Sequence, residues 1–297
     1  MQQVVTLAPG RQATYEVVGH GEPLLWFQGG PGIPASLLRP DAELLADRFA
    51  IYLIDPHGSG GSTAPEDPSA YDHVGHARFY DEVRQALGLD RVSVCGISFG
   101  GTVALTYSAL YPDHTLRCLA ISPYALGAEL HEEVAATQES RAFERHAQAP
   151  WFPEAKEVID HWTERVLAAQ DPAEVGMMFS IAFPLYFAYP DRPDVAAHIE
   201  RFRRAEGFDL AAAKTWEGGL YQRIDLRPLF PKIRCPVLVI TGELDFICGP
   251  PHAEAVAGQV PHVQVVIIPD CGHIPEYEAP EAFRSAVLEW LGHSSVA

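Results

Sequence analysis

The strongest constraint on the fold is the segment from Val92 to Thr102, which reads VSVCGISFGGT. A β-branched, apolar stretch leads into Gly-x-Ser-x-Gly and then directly into a helical pattern, which predicts a strand, a tight turn and a helix. A serine on so tight a turn has a strained backbone, and glycine at positions 96 and 100 allows strand and helix to approach closely. Ser98 is therefore a candidate nucleophile.

Length and composition favour one large α/β unit over two independent domains. The chain has 297 residues, of which 47% are hydrophobic, and its formal net charge is −18. No apolar run is long enough to span a membrane, and no leader pattern follows Met1, so we expect a cytoplasmic protein without a membrane partner. We also expect no nucleic-acid partner, because phosphate backbones are bound by clustered Lys and Arg. The oligomeric state stays open, a homo-oligomer included.

The five cysteines are predicted to be reduced core thiols. Their number is odd, they form no Cys-x-x-Cys pair, and they fall in or beside predicted strands; they are Cys95, Cys118, Cys235, Cys248 and Cys271. Neither a disulfide framework nor a metal-binding cysteine pair is expected from this spacing.

Strand and helix patterns alternate on both sides of the central run. Three extended segments, at 4–7, 13–18 and 24–27, resemble an antiparallel lead-in to a sheet. Further strands are predicted at 49–54, 116–122, 235–241 and 263–268, and helices at 71–87, 251–257 and 283–291. Such alternation predicts an α/β fold with a mostly parallel central sheet and helices on both faces.

The alternation stops between about residues 127 and 225, where only helical patterns occur and aromatic residues are frequent. We interpret 127–225 as an inserted helical cap, or lid, and residues 1–126 with 226–297 as the core domain. An insertion at this point would lie over the carboxyl ends of the strands, where α/β sheets bind ligands. Its aromatic side chains could pack within the cap or line an apolar pocket, and both interpretations stay open.

Three polar residues each follow the end of a predicted parallel strand: Ser98, Asp245 and His273. A serine hydroxyl needs an imidazole to accept its proton, and the imidazole needs a carboxylate to orient it and to stabilise its charged form. The chain order Ser, Asp, His is one of the known orders of such a triad. His57 is the alternative base and Asp270 the alternative acid, but His57 belongs to an earlier loop and Asp270 shares the short loop of His273.

With these motifs in place, the sequence resembles the α/β-hydrolase superfamily over nearly its whole length. Within it, the chain is similar to the proline iminopeptidase branch, whose motifs HGGPG and DQRGxGxS correspond here to QGGPG at 28–32 and DPHGSGGS at 55–62. The resemblance implies an α/β-hydrolase fold, no cofactor and no metal. It also implies an oxyanion hole formed by the backbone N–H groups of Gly30 and Phe99.

Departures from the family pattern concern the substrate pocket. Gln28 replaces the histidine of HGGPG, and Phe246 stands where some family members carry a glutamate that binds the free amine of the substrate. Trp216 and Glu217 form a Trp-Glu pair of the kind found in the caps of the family, so Glu217 is the candidate replacement. These four residues are the predicted substrate-binding positions, and a solvated surface glutamate is the alternative interpretation of Glu217.

The resulting hypothesis is a serine hydrolase that forms an acyl-enzyme on an ester or amide of a small molecule or short peptide. A proline iminopeptidase-related enzyme is preferred, with a carboxylesterase or lactonase for a hydrophobic small molecule as the alternative. A non-hydrolytic use of the same scaffold, as a lyase, a cofactor-free oxygenase or a ligand-binding protein, also remains, because fold alone does not determine function.

Overall fold

The computed structural model describes residues 1–293, without the side chains of His131 and Ala135. The predicted core domain extends to residue 297, and its last four residues, 294–297, lie outside the described residues. Eight strands form one sheet: β1 Gln3–Ala8, β2 Arg11–Gly19, β3 Glu22–Phe27, β4 Phe49–Ile54, β5 Val92–Ile97, β6 Thr115–Ile121, β7 Val237–Gly242 and β8 Val263–Ile268. Their spatial order is β1-β2-β4-β3-β5-β6-β7-β8. The pairs β1–β2 and β2–β4 are antiparallel, and all other pairs are parallel.

Helices follow most strands. They are α1 Arg39–Glu43, α2 His73–Ala86, α3 Phe99–Leu110, α4 Gly127–Val134, α5 Ser140–His146, α6 Phe152–Asp160, α7 Trp162–Ala168, α8 Pro172–Ala182, α9 Pro193–Arg203, α10 Leu210–Thr215, α11 Gly249–Ala257, α12 Pro275–Glu278 and α13 Pro280–His293. Short 3-10 or π turns occupy Ala35–Leu38, Pro68–Tyr71, Ala135–Glu139, Phe183–Tyr186, Trp216–Leu220, Tyr221–Arg223 and Phe230–Lys232. Among residues 1–293, no helix has the length and apolar character that crossing a bilayer requires.

The third strand corrects the prediction of an antiparallel lead-in. β1 and β2 are antiparallel, but β3 lies in the interior of the sheet, parallel to both β4 and β5. The reason is visible in its sequence: Leu24, Leu25, Trp26 and Phe27 are all buried. A strand that is apolar on both faces belongs in the covered centre of a sheet, whereas the antiparallel pairs lie at the edge.

Successive residues of each central strand point to opposite faces of the sheet. Leu25 and Phe27 belong to the core beneath α2, α3 and α11, while Leu24 and Trp26 belong to the core beneath α1 and α13. Fully burying one such side chain contributes about 1.5–3 kcal/mol to folding. The two apolar layers therefore hold the sheet rigid, and the carboxyl ends of its strands share one edge.

Between β6 and β7, the described chain contains helices and helical turns from Gly127 to Arg223. A single antiparallel bridge joins Leu126 to Asp225, so this insertion leaves and re-enters the core at neighbouring points. It also has a small apolar cluster of its own, in which Val158, Val166 and Val175 are buried. The assignment of 127–225 as a separate cap domain stays a prediction.

The five cysteines are free and buried, as predicted.

Candidate active site

Ser98 lies at the sharp turn between β5 and α3, with φ 55° and ψ −122°. A non-glycine residue in such a conformation carries strain of about 1–3 kcal/mol, which its surroundings must offset. Two hydrogen bonds hold the turn: Ser98 N donates to Ile121 O at 2.8 Å, and Thr102 N donates to Ser98 O at 3.1 Å. A Cβ at Gly96 would lie 2.1 Å from Gly100 O, and one at Gly100 would lie 2.2 Å from Phe27 O. Both glycines of the motif are thus sterically required.

Asp245 and His273 are hydrogen-bonded to each other, with Oδ2 of the carboxylate 2.9 Å from Nδ1 of the imidazole. Both are buried, at 0% and 2% exposure. Asp245 Oδ1 also accepts the backbone N–H groups of Ile247 at 2.9 Å and Cys248 at 3.1 Å. Burial alone would raise the pKa of Asp245, but the charge and hydrogen bond of His273 and the backbone donors outweigh it and set that pKa at about 2. The carboxylate is therefore ionised at neutral pH.

His273 is positioned by its backbone as well. Its N–H donates to Tyr186 O at 2.7 Å, and its carbonyl accepts the Ser122 hydroxyl at 2.9 Å. His273 and Ser98 line the same small cavity, of about 80 Å³. The structure thus brings together the three residues that the sequence analysis selected, although they are far apart along the chain.

The alternative base and acid are not part of this arrangement. His57 packs on Phe79 at 4.1 Å between ring centroids, and its Nε2 lies 3.4 Å from Gly75 O. Burial lowers the pKa of His57 to about 4, with the Gly75 hydrogen bond opposing that shift. Asp270 is exposed, and its N–H lies 3.4 Å from Glu243 Oε2. Neither residue lines the cavities next to Ser98.

A larger cavity, of about 460 Å³, lies beneath the insertion and reaches Ser98. The core contributes Gly30, Ser98 and Phe99 to its lining, and the insertion contributes aromatic residues, among them Trp162 and Phe179. The two cavities share Gly30, Ser98, Phe179 and Tyr186, so they meet at the serine. An apolar cavity with a few polar groups, open to a serine on a strained turn, has the character of a ligand site.

Gly30 and Phe99, the predicted oxyanion hole, lie in the wall of the large cavity beside Ser98. Gly30 has φ 54°, a conformation that glycine adopts readily. Phe99 is the first residue of α3, and the first N–H groups of a helix have no partner within the helix itself. That both N–H groups bind an oxyanion stays a prediction.

The four predicted substrate-binding residues line one or other cavity. Trp216, Glu217 and Phe246 line the large one, and Gln28 lines the small one. Trp216 packs edge-on against Phe99 with ring centroids 5.1 Å apart. The Gln28 amide, in contrast, is occupied within its own loop: Oε1 accepts Gly29 N at 2.7 Å, and Nε2 donates to Pro34 O at 3.2 Å.

Glu217 is half-buried rather than fully solvated. Its carboxylate accepts Trp162 Nε1 at 2.8 Å and Thr163 Oγ1 at 2.6 Å, which fixes the carboxylate in the cavity wall. Glu139 and Asp160 line the same cavity, and the Asp160 carboxylate is ion-paired with Lys156 Nζ at 2.5 Å. The cavity wall therefore has acidic as well as aromatic groups.

Two residues of the site were not singled out by the sequence analysis. Cys248 is buried beside Asp245; burial and the Asp245 charge raise the pKa of its thiol, and a hydrogen bond with Ser98 opposes that shift. Glu278 accepts Gly272 N at 2.6 Å and Ala188 N at 3.2 Å, and so ties the His273 loop to the insertion. In the sequence, the position of Cys248 three residues after Asp245 could have indicated that Cys248 lies close to the site.

Asp245 and His273, together with Cys248, are residue types that can bind a metal ion. Among the described residues, the potential ligand atoms of Asp245, Cys248 and His273 lie within 4.8 Å of one another. Two of these groups already bind each other, and the thiol pKa is raised rather than lowered. The arrangement therefore fits a hydrogen-bonded dyad better than a set of metal ligands, which require a deprotonated thiol.

The chain is similar to known hydrolases over nearly its whole length. The chain is 24% identical over 307 residues to a proline iminopeptidase of Lactobacillus delbrueckii subsp. bulgaricus, with 95% of each chain covered. It is 24% identical to a 2-hydroxy-6-oxo-6-phenylhexa-2,4-dienoate hydrolase of Burkholderia cepacia, covering 93% of this chain and 89% of the relative. A thermophilic esterase from Thermogutta terrifontis is 25% identical, with a TM-score of 0.69 and 99% and 98% coverage.

The model of the alpha/beta hydrolase fold family matches residues 22–280, which contain the strained serine turn, the Asp245–His273 pair and both cavities. The resemblance predicted from the motifs is thereby confirmed, and the chain belongs to the α/β-hydrolase fold family.

Proposed function

We propose that this chain is a serine hydrolase that forms an acyl-enzyme on Ser98, with prolyl amides as the preferred substrates. The observation that carries the proposal is the 2.9 Å hydrogen bond between Asp245 and His273, at a cavity that His273 shares with the strained Ser98. In this proposal the insertion 127–225 is the cap of the site, and the large cavity beneath it holds the substrate.

The proposed reaction has two halves. Ser98 Oγ attacks the substrate carbonyl carbon while His273 Nε2 accepts the hydroxyl proton, and the N–H groups of Gly30 and Phe99 stabilise the oxyanion. The tetrahedral intermediate breaks down as His273 returns the proton to the leaving amine or alcohol. A water molecule, deprotonated by His273, then attacks the acyl-enzyme, and His273 returns that proton to Ser98 Oγ as the acid is released. Asp245 stays ionised and orients the imidazole throughout.

The preference for prolyl amides rests on the acidic wall of the large cavity. An N-terminal proline carries a protonated secondary amine, and the Glu217 carboxylate lies in the same cavity as Ser98. A charge-assisted hydrogen bond between amine and carboxylate would hold the carbonyl at the serine. The similarity to proline iminopeptidases supports the same preference.

An ester of a hydrophobic small molecule is the second candidate substrate. Two donors already occupy the Glu217 carboxylate, and aromatic side chains make up much of the cavity wall. The similarity to an esterase supports this alternative.

The first test is covalent labelling of Ser98 with a fluorophosphonate, read by intact-protein mass. We expect one adduct on the native chain and none on Ser98→Ala. Turnover of prolyl-2-naphthylamide is then compared with turnover of N-acetylprolyl-2-naphthylamide, which lacks the charged amine, and of p-nitrophenyl butanoate.

A higher kcat/KM for the free prolyl amide than for its acetylated form supports the peptidase. Turnover of the ester alone would show that the enzyme is an esterase and not a peptidase. If Ser98→Ala kept full turnover of the substrate, the acyl-enzyme would be wrong, and a mechanism in which His273 acts as the base without Ser98 would take its place.

A further inference from the structure

The small cavity of about 80 Å³ meets the large one at Ser98 and is lined by residues of both the core and the insertion. Its wall is mainly apolar, with Ile33, Leu37, Leu38, Ile97, Phe183 and Ile274 among the lining residues. It is much smaller than the large cavity of about 460 Å³, so it suits a short chain rather than a ring system such as naphthalene.

Two carboxyl groups lie at this cavity: Asp41 on α1 and Glu276 on α12. They are 3% and 1% exposed. Asp41 Oδ1 and both Glu276 carboxyl oxygens have no hydrogen-bond partner among the described residues. An unpaired buried carboxyl group costs free energy, so three unpartnered acceptor oxygens on two residues that border one cavity indicate a site for a hydrogen-bond donor.

Two carboxyl groups face one nearby cation, so a second cation as that donor would balance the charge of the pair. Arg201 on α9 is the nearby positive group; its guanidinium hydrogen-bonds to His198 Nδ1 and lies 5.8 Å from the Tyr277 ring centre. Burial raises the pKa of Asp41 to about 7, although the Arg201 charge opposes that shift. Burial and the Asp41 charge likewise raise the pKa of Glu276. Without a ligand, the pair therefore retains a proton at neutral pH, and a bound cation can take the place of that proton.

We propose that the small cavity binds a primary ammonium group at the end of a short substrate arm, with Asp41 and Glu276 accepting its hydrogen bonds. Three unpartnered acceptor oxygens match the three N–H donors of such a group, and the apolar wall matches the methylenes that join it to the carbonyl at Ser98. This inference rests on the proposed function only because it places the substrate carbonyl next to Ser98, the proposed nucleophile. The ammonium site itself is separate from Glu217, which lies in the other cavity.

The binding test uses three ligands of equal chain length and different charge: butylammonium, 1-butanol and butanoate. Calorimetric titrations are run at constant ionic strength on the native chain, on Ser98→Ala and on the double variant Asp41→Asn/Glu276→Gln. We expect butylammonium to bind at least tenfold more tightly than the other two ligands to the native chain and to Ser98→Ala. The double variant should lose that preference, whereas Glu217→Gln should keep it.

Both substitutions in the double variant are nearly isosteric and remove groups that have unpartnered oxygens, so the variant is expected to fold; a thermal melt checks this. Each single variant is titrated as well, and each should weaken butylammonium binding. Equal binding of the alcohol and the ammonium, tighter binding of butanoate, or unchanged binding to the double variant would each overturn the proposal.

A second measurement separates this inference from the proposed function. 4-Aminobutanoyl-2-naphthylamide and pentanoyl-2-naphthylamide differ mainly at the end of the acyl chain, which is an ammonium group in the first and a methyl group in the second. We expect kcat/KM to favour the amine at least tenfold in the native chain and not in the double variant. Binding of butylammonium without turnover of either amide would leave the ammonium site standing and reject these two amides as substrates of Ser98. Turnover of both at equal rates would reject the ammonium site and leave the hydrolase standing.

Discussion

Asp245 differs from the Asp41–Glu276 pair in hydrogen bonding, although all three carboxyl groups are nearly inaccessible to solvent. Asp245 has His273 and two backbone N–H groups as partners, and its pKa lies at about 2. Asp41 and Glu276 leave three oxygens unpartnered, and burial raises both of their pKa values.

Burial sets the free-energy cost of ionising a carboxyl group, while neighbouring hydrogen-bond donors determine whether the group is ionised at neutral pH. A carboxylate that must orient a histidine needs donors built into the protein. A carboxyl pair that binds a ligand keeps its acceptor atoms free, so the ligand supplies the donors. Both kinds of site lie within reach of one serine in this molecule.

The largest expected effect comes from replacing Asp245, the buried carboxylate that has hydrogen-bond partners. Asp245→Asn should lower kcat by about 10⁴-fold, because the amide no longer holds the His273 tautomer that accepts the Ser98 proton. The measurement is steady-state kinetics on the best substrate from the naphthylamide and ester series. Asp270→Asn is the matched control and should stay within twofold of the native rate. A comparable loss in the control would exchange the roles assigned to these two aspartates.

The next effect concerns the pH dependence of folding stability at Asp41, one of the two carboxyl groups with unpartnered oxygens. The pKa of Asp41 is raised, so the native state binds more protons than the unfolded state, and stability falls as pH rises between about 4 and 7. The slope is up to about 1.4 kcal/mol per pH unit for one proton. Asp41→Asn should therefore gain stability relative to the native chain as pH rises, measured by urea unfolding at pH 5 and pH 7. A constant difference between the two proteins would contradict the raised pKa.

Asp245 should show the opposite sign in a lower pH window. Its pKa is depressed in the native state, so its contribution to stability is present above about pH 4 and is lost as pH falls toward 2. The expected loss is about 2 kcal/mol. Urea unfolding of the native chain and of Asp245→Asn between pH 4.5 and 2.5 should show the two curves converging. Parallel curves would mean that the carboxylate is not stabilised by its partners.

The smallest expected effect extends the comparison to Glu217, a half-buried carboxylate with two side-chain donors. Glu217→Gln should raise KM for prolyl-2-naphthylamide about tenfold, which corresponds to about 1.4 kcal/mol of lost amine binding. KM for p-nitrophenyl butanoate should stay within twofold, because that substrate has no amine. Equal changes for both substrates would show that Glu217 acts on the shape of the cavity rather than on the charge of the substrate.

Sequence patterns could predict the parts of the fold that local chemistry specifies. The predicted strand at 49–54 is β4, and the predicted helix at 71–87 corresponds to α2. Ser98, Asp245 and His273 were each predictable because a strand end delivers each of them to the same edge of a parallel sheet. The place of β3 was not predictable from adjacent segments alone, because strand order depends on which strands are covered on both faces.

Neighbouring residues and strand ends specify the α/β alternation, the strained serine turn with its two required glycines, and the chain order of Ser98, Asp245 and His273. Tertiary structure alone decided which carboxyl groups have partners. Asp41 and Glu276 are 235 residues apart and meet only because α1 and α12 both border one cavity. Whether a buried carboxyl group finds donors depends on that packing, and no local pattern in the chain records it.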